Sequence, residues 1–387
     1  MTDTIIRVAA RGDGITADGR HAALAAPGDQ LRADGRVEPG PHHQVPPCRH
    51  FPECGGCQLQ HLDDESYAAF ITDRIVSALD AHQLTTTVRT PHLSPPRTRR
   101  RATLHADRGL LGFTAEQSHA IVDMRECHIL LPELFALVAP LRALFHKLGL
   151  KRRADVHLAL ADQGPDILVT GWAPQGLAAA EAITAFCTRH GVARLSVDDG
   201  LGPETRWEPQ PVTIALSGTP VPMPPGAFLQ ATADGEAALV AAVRAALGAP
   251  RTTADLFAGL GTFALALPGK VYAAEGARDA VLSLKTAASG RPVFVEHRDL
   301  YRRPLTVAEL DRFDAVVLDP PRSGAREQTE ALAACQARVI AYVSCNPSSF
   351  ARDARMLVDG GWRLEWIQPV GQFRWSTHVE LAARFVR

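Results

Sequence analysis

Apolar and polar positions change their rhythm three times along the chain. Residues 1–47 hold strand-like pieces, Ile5 to Ala9 and His21 to Ala25, cut by Gly and Asp and followed by a Pro/His-rich run from Pro39 to Pro47. This predicts a small β unit and a linker. A helix should start near Asp63, because Phe70, Ile71, Ile75, Val76 and Leu79 recur at helical spacing. Between about 97 and 225, alternating segments at Val156 to Leu160 and Ile167 to Trp172 are interleaved with helical ones such as Leu177 to Arg189, which predicts an α+β unit. From about 226 the order becomes helix (Asp234 to Leu247), strand (Thr253 to Phe257), glycine loop, helix and strand (Lys270 to Ala274). Strands at Ala315 to Leu318 and Val339 to Ser344 follow. Short strand–helix steps of this kind build a doubly wound parallel sheet.

In that sheet the segment Asp255-Leu-Phe-Ala-Gly259-Leu-Gly261-Thr262 lies between an apolar strand and a helix, so its glycines let the backbone turn beneath a ligand. Glu275 ends the next strand 20 residues after Asp255, where such folds bind the ribose hydroxyls of an adenosine. The third glycine of a dinucleotide fingerprint is missing, and no Gly-Lys-Ser/Thr follows for a triphosphate. S-adenosylmethionine therefore suits the loop better than NAD or ATP.

Two later strands end in Leu318-Asp319-Pro-Pro-Arg322 and Val343-Ser-Cys345-Asn-Pro347, which puts Asp319 and Cys345 on the same rim as the glycine loop. Cys187 and Cys335 read instead as small buried hydrophobes. Glu380 is an acid within a late apolar strand, and charged residues are rarely buried without a task or a partner.

Composition narrows the classes. The 387 residues are 46% hydrophobic and 21% charged, which excludes disorder over most of the chain. No stretch approaches the roughly 18 apolar residues of a membrane helix, and Met-Thr-Asp-Thr does not begin a signal peptide, so the expected location is the cytoplasm. Seven cysteines without a secretory signal point to metal or catalytic roles. Cys48, Cys54 and Cys57 stand close together with Gly-Gly before the third, and Cys127 can return as a fourth ligand; a structural zinc or an iron–sulfur cluster both fit. His50, His61 and His128 read as surface or supporting residues rather than ligands. The net charge of −1 hides a local excess between Arg97 and Arg153, where eleven Lys and Arg face five acids. That stretch, densest at Arg97-Thr-Arg-Arg-Arg101, is a candidate phosphate-binding patch.

These motifs together, in this order, resemble the RNA uracil-5 methyltransferase family. The set comprises Cys-x5-Cys-Gly-Gly-Cys, Gly226-Ala-Phe228-Leu-Gln230, Asp255-Leu-Phe-Ala-Gly-Leu-Gly, Asp-Pro-Pro-Arg, Ser-Cys-Asn-Pro and His-Val-Glu, and covers nearly the whole chain. The resemblance implies an α/β fold: a Rossmann-like class I S-adenosylmethionine methyltransferase domain at 226–387, an iron–sulfur and central α+β RNA-binding domain at 48–225, and a shortened OB/TRAM-like β unit with linker at 1–47. It implies S-adenosylmethionine and a [4Fe-4S] cluster on Cys48, Cys54, Cys57 and Cys127 as cofactors. It also implies Cys345 as nucleophile and Glu380 as general base, with Gln230, Phe257, Gly259, Gly261, Thr262, Glu275, Asp299 and Asp319 at the cofactor site. Thr262 and Asp299 stand where the family commonly has Asn.

The implied chemistry needs these residue types. Carbon 5 of uracil is a poor nucleophile until a thiolate adds at carbon 6; a base must then remove the carbon 5 proton before the thiolate leaves. The Cys345 site is accordingly expected to lower the thiol pKa, and Phe228 or Phe373 could stack on an unstacked base. The cysteines favour ribosomal RNA as the partner, with transfer RNA as the alternative; nothing calls for a membrane or an obligate protein partner. A DNA cytosine-5 methyltransferase shares the covalent logic, but Ser344 rather than Pro precedes Cys345. A non-catalytic metal-bound RNA-binding module is the remaining alternative.

Overall fold

The computed structural model describes residues 2–387. At its amino end five short antiparallel strands, Thr2–Val8, Gly14–Thr16, His21–Ala22, Gln30–Arg32 and Val37–Glu38, form one sheet over Ile5, Ala22, Ala25 and Leu31. Three of these strands escaped the sequence reading because two or three residues carry too little alternation to register.

The helix Asp64–Asp80 begins where the pattern placed it, with the Asp63 carboxylate accepting the Ser66 N–H at 2.8 Å. Tyr67, Phe70, Ile71, Ile75 and Leu79 are buried, while Val76 faces solvent. The buried face packs against the last sheet rather than the middle one. Strands Thr87–Val88 and His92–Leu93 likewise pair in parallel with Arg363–Gly371. Residues 64–93 thus help complete the carboxyl-terminal sheet, although they lie within the 48–225 unit of the sequence reading.

The middle sheet has six strands, in the order Glu204–Trp207, Arg194–Asp198, Gly164–Thr170, Ala154–Ala161, Arg101–Asp107 and Leu110–Gly112. Helices Val138–Lys147 and Leu177–His190 cover it over an apolar core that includes Cys187. The carboxyl-terminal sheet runs Val293–His297, Lys270–Glu275, Thr252–Leu256, Ala315–Leu318 and Val339–Ser344, all parallel. Glu380–Val386 then inserts antiparallel between Val339–Ser344 and Arg363–Gly371. Helices on both faces bury it, which explains the unbroken apolar runs at Ala315–Leu318 and Val339–Ser344. Among the described residues no helix is long and apolar enough to cross a membrane.

Candidate active site

Parallel strands bring their carboxyl ends to one rim, and an antiparallel strand inserted among them starts at that rim. Glu380 therefore stands beside Cys345 because it is the first residue of Glu380–Val386, whose Leu381 pairs with Ser344. The rim opens into a crevice of about 600 Å³. Gln230, Phe257, Gly259, Thr262, Glu275, Asp319, Cys345 and Glu380 all line it, as do Phe228 and Phe373.

Two predicted cofactor residues do not reach the crevice wall. Gly261, at φ +97°, lies beneath the loop, where an added Cβ would come within 2.3 Å of Leu284 Cδ1; its task is close packing. Asp299 turns its carboxylate onto its own loop, accepting from the N–H groups of Tyr301 at 3.0 Å and Arg302 at 3.2 Å.

Glu275 locks the glycine loop. One carboxylate oxygen accepts the Gly259 N–H at 2.9 Å and the other accepts the Ala277 N–H at 2.7 Å. Phe257 sits at φ +64°, a left-handed conformation that costs a non-glycine residue strain, and its ring packs on Tyr301 with centroids 5.4 Å apart. Below the loop Asp255 is fully buried with no hydrogen-bond partner for either oxygen. Burial pushes its carboxyl up to about 7, with the Ala264 backbone pulling against this and the charge of Glu275 adding to it. Asp319 is pushed well above the carboxylate range by burial and by Glu380, Asp255 and Glu275.

The two strand-end motifs are laced together: Asn346 Nδ2 and Ser349 Oγ both donate to the Arg322 carbonyl at 3.0 Å. This fixes Cys345 in the turn before the helix Pro347–Asp359. The expected lowering of the Cys345 pKa is not found. Burial raises it, Glu380 and Asp319 add to the rise, and Arg322 only partly offsets them. Burial is thus the main brake on thiolate formation, and the two neighbouring carboxyls act in the same direction.

The arginine-rich run, a candidate phosphate-binding patch by sequence, is only partly exposed. Arg100 is buried, with its guanidinium 2.6 Å from Glu236 and donating to the Gln230 carbonyl at 3.1 Å. Arg101 lines the crevice with its guanidinium carbon 4.3 Å from the Phe228 ring centre, and burial followed by Arg99 brings its pKa down to about 10. Arg99 lies between Phe113 and Phe373, at 5.8 and 5.6 Å from their rings. Only Arg97 of the four is exposed. Arg322, His378 and Asp279 also line the crevice; the first two stand inside motifs quoted from the sequence but had no role of their own assigned to them, and Asp279 carries no sequence signal.

Cys48, Cys54, Cys57 and Cys127 surround a second, smaller cavity with Phe113 and Met124. Gly56 lets the loop lie against Phe113, where a Cβ would approach the ring to 3.1 Å. Burial pushes Cys54 up to about 11 and Cys57 to about 12. Among the described residues no three His, Cys, Asp or Glu side chains converge on the centre a single ion would need. His61 is buried and not at the surface, with both ring nitrogens unpartnered, and burial brings it down to about 4. The cysteine loop is tied to the active-site rim, since Gln58 and Leu59 donate their N–H groups to the Trp375 carbonyl at 2.8 and 2.9 Å.

A family model described as tRNA (uracil-5-)-methyltransferase matches residues 294–386. A Zymomonas mobilis protein called an uncharacterized RNA methyltransferase is 50% identical over 99% of both chains. The 23S rRNA (uracil(1939)-C(5))-methyltransferase of Chromohalobacter salexigens is 32% identical over 91% of this chain and 78% of its own. The chain belongs to the RNA uracil-5 methyltransferase family. Its fold is shared with a Pyrococcus abyssi tRNA (uracil-54, C5)-methyltransferase solved with S-adenosyl-L-homocysteine, at a TM-score of 0.74 and 22% identity over 100% of both chains.

Proposed function

We propose that this protein methylates carbon 5 of a uracil in RNA, with Cys345 as nucleophile and Glu380 as the base. The observation that carries the reading is one crevice lined by both residues, by the locked glycine loop and by two aromatic rings. Bound S-adenosylmethionine supplies an electrophilic methyl group there. After giving its proton to solvent, the Cys345 thiolate adds to carbon 6 of the uracil; the ring electrons gathered at carbon 5 take the methyl group as its bond to the donor sulfonium breaks, the bonding pair leaving with the donor sulfur as a neutral thioether. Glu380 then takes the carbon 5 proton, the carbon 5–carbon 6 double bond re-forms and the sulfur leaves as thiolate. Phe228, exposed under Arg101, and Phe373 offer faces for a base drawn out of its stack.

The four-cysteine cavity suits a [4Fe-4S] cluster. The donors present, four cysteines around one cavity, suit either a zinc ion or a cluster, and the family resemblance is what favours the cluster. Cys48, Cys54, Cys57 and Cys127 would hold the cluster, which would supply rigidity to the loop that braces Trp375. Anaerobically purified protein should carry about four irons per chain; zinc alone would refute the cluster.

Ribosomal RNA is the proposed substrate, on the cysteine set and the Chromohalobacter relative. Mass spectrometry of rRNA and tRNA from a deletion strain, reading which loses 5-methyluridine, decides between the two. For the chemistry, Cys345→Ala should abolish product and adduct together. Glu380→Gln should accumulate a denaturation-resistant protein–RNA adduct that carries labelled methyl. A folded, cofactor-binding Glu380→Gln protein without adduct would overturn the base assignment.

A further inference from the structure

Beside Glu380 lies a buried amide that the mechanism above does not use. The side-chain oxygen of Gln372 accepts the Ala231 N–H at 2.7 Å and, more weakly, the Thr232 N–H at 3.4 Å. Both partners can only donate, so the amide has one orientation. Its NH2 must point the other way, where it donates to Glu380 Oε2 and to Gln230 Oε1, the latter at 2.7 Å. Gln372 is 1% exposed and every hydrogen-bonding position of its amide is occupied.

We propose that Gln372 is a positioning residue for proton removal: it holds Glu380 as an ionised acceptor at the crevice wall and turns the Gln230 amide so that its NH2 is free for a ligand. The proposal rests on the assignment of Glu380 as the base. A protonated carboxyl cannot take the carbon 5 proton, and burial favours the protonated form of a carboxyl as enclosed as Glu380. The groups facing Glu380 pull in different directions. Arg101 and Arg322 favour its charge, while Asp319, and Cys345 once ionised, oppose it. Among the described residues Gln372 alone gives its carboxylate a hydrogen bond. An amide donor favours the anion and has no proton of its own to lose near neutral pH, so it cannot compete with the base it serves.

Proximity follows from the fold. Val370 pairs with Glu380, so Gln372 lies just past the end of the neighbouring strand, and Gly235 makes room for it, since a Cβ there would meet Gln372 Cβ at 2.6 Å. The contacts to Ala231 and Thr232 also steady the start of the helix Ala233–Leu247, so a purely structural role must be separated from the proposed one.

Gln372→Glu makes the separation, because it keeps the oxygen that accepts from Ala231 and replaces only the donor. Gln372→Met is the second variant; it removes the donor without adding charge. Both would be assayed in single turnovers with RNA and labelled S-adenosylmethionine from pH 5.5 to 9, alongside circular dichroism and equilibrium dialysis of the cofactor. The expected result for each folded variant is a methyl-labelled adduct that breaks down at least tenfold more slowly at pH 6.5, with the acid limb of breakdown moved to higher pH. A mere helix cap would lower the melting temperature and leave that limb in place. Breakdown with the wild-type limb and no adduct, while Glu380→Gln does accumulate one, would overturn the role of Gln372 alone. Absence of adduct in Glu380→Gln as well would overturn both assignments.

Discussion

Arg100 and Glu236 form a buried ion pair at 2.6 Å, joining the residue just before the strand Arg101–Asp107 of the middle sheet to the helix Ala233–Leu247 of the catalytic unit. Removing one partner strands the other charge away from water. Arg100→Ala should therefore cost about 3–5 kcal/mol, while an Arg100→Met, Glu236→Leu double replacement should recover much of that. Urea unfolding of the single and double variants measures both.

Arg97 and Arg101 should behave differently although they are four residues apart. Arg97→Ala should weaken RNA binding uniformly and reduce the slope of log affinity against log salt by about one. Arg101→Ala removes a cation from the face of Phe228 inside the crevice, so single-turnover methylation should fall even at saturating RNA. Filter binding across a salt series, with methyl transfer at saturation, separates the two.

Cys345 in the free protein should react slowly with iodoacetamide at neutral pH. Its pKa is raised, so the thiolate grows in only above the ordinary thiol value of about 8.5. Glu380→Gln removes the larger of the two carboxylate contributions to that rise and should move the alkylation midpoint to lower pH. A midpoint unchanged by that variant would show that the Glu380 charge does not set the thiol.

Asp255 gives stability a pH dependence of unusual sign. Its folded pKa, about 7, lies above the unfolded value of about 3.9. Between those values the folded state binds more protons than the unfolded one, so this group makes stability fall as pH rises. Asp255→Asn should flatten the decline in melting temperature between pH 4 and 7, measured without cofactor.

Much of the catalytic unit was legible because its strands are long and apolar and end in distinctive residues. Ala315–Leu318 and Val339–Ser344 were read to the residue, and Asp319 and Cys345 fell on one rim because parallel topology leaves few other places for strand ends; Glu380 reaches that rim through an antiparallel insertion that the sequence did not announce. Gln372 was invisible: a lone Gln after a strand carries no periodic or motif signal, and its importance exists only through Ala231, Gln230 and Glu380. Arg100 was misplaced for a related reason. Charge counting cannot tell an arginine paired with an acid 136 residues away from one facing solvent. Strands Thr87–Val88 and His92–Leu93 failed on length, since two residues have no alternation to detect.

Those two short strands impose an order on how the chain is made. Thr86 and Thr90 bond to Leu364 and Gln368, partners 278 residues further along. At about 5–20 residues per second, the helix Asp64–Asp80 and its strands leave the ribosome on the order of tens of seconds before the sheet they complete. Their apolar face must wait, open to chaperones or to wrong partners, while the middle unit folds from contiguous sequence. The methyltransferase unit is thus closed by its oldest segment, and a catalytic half started at 226 would emerge with an uncovered edge.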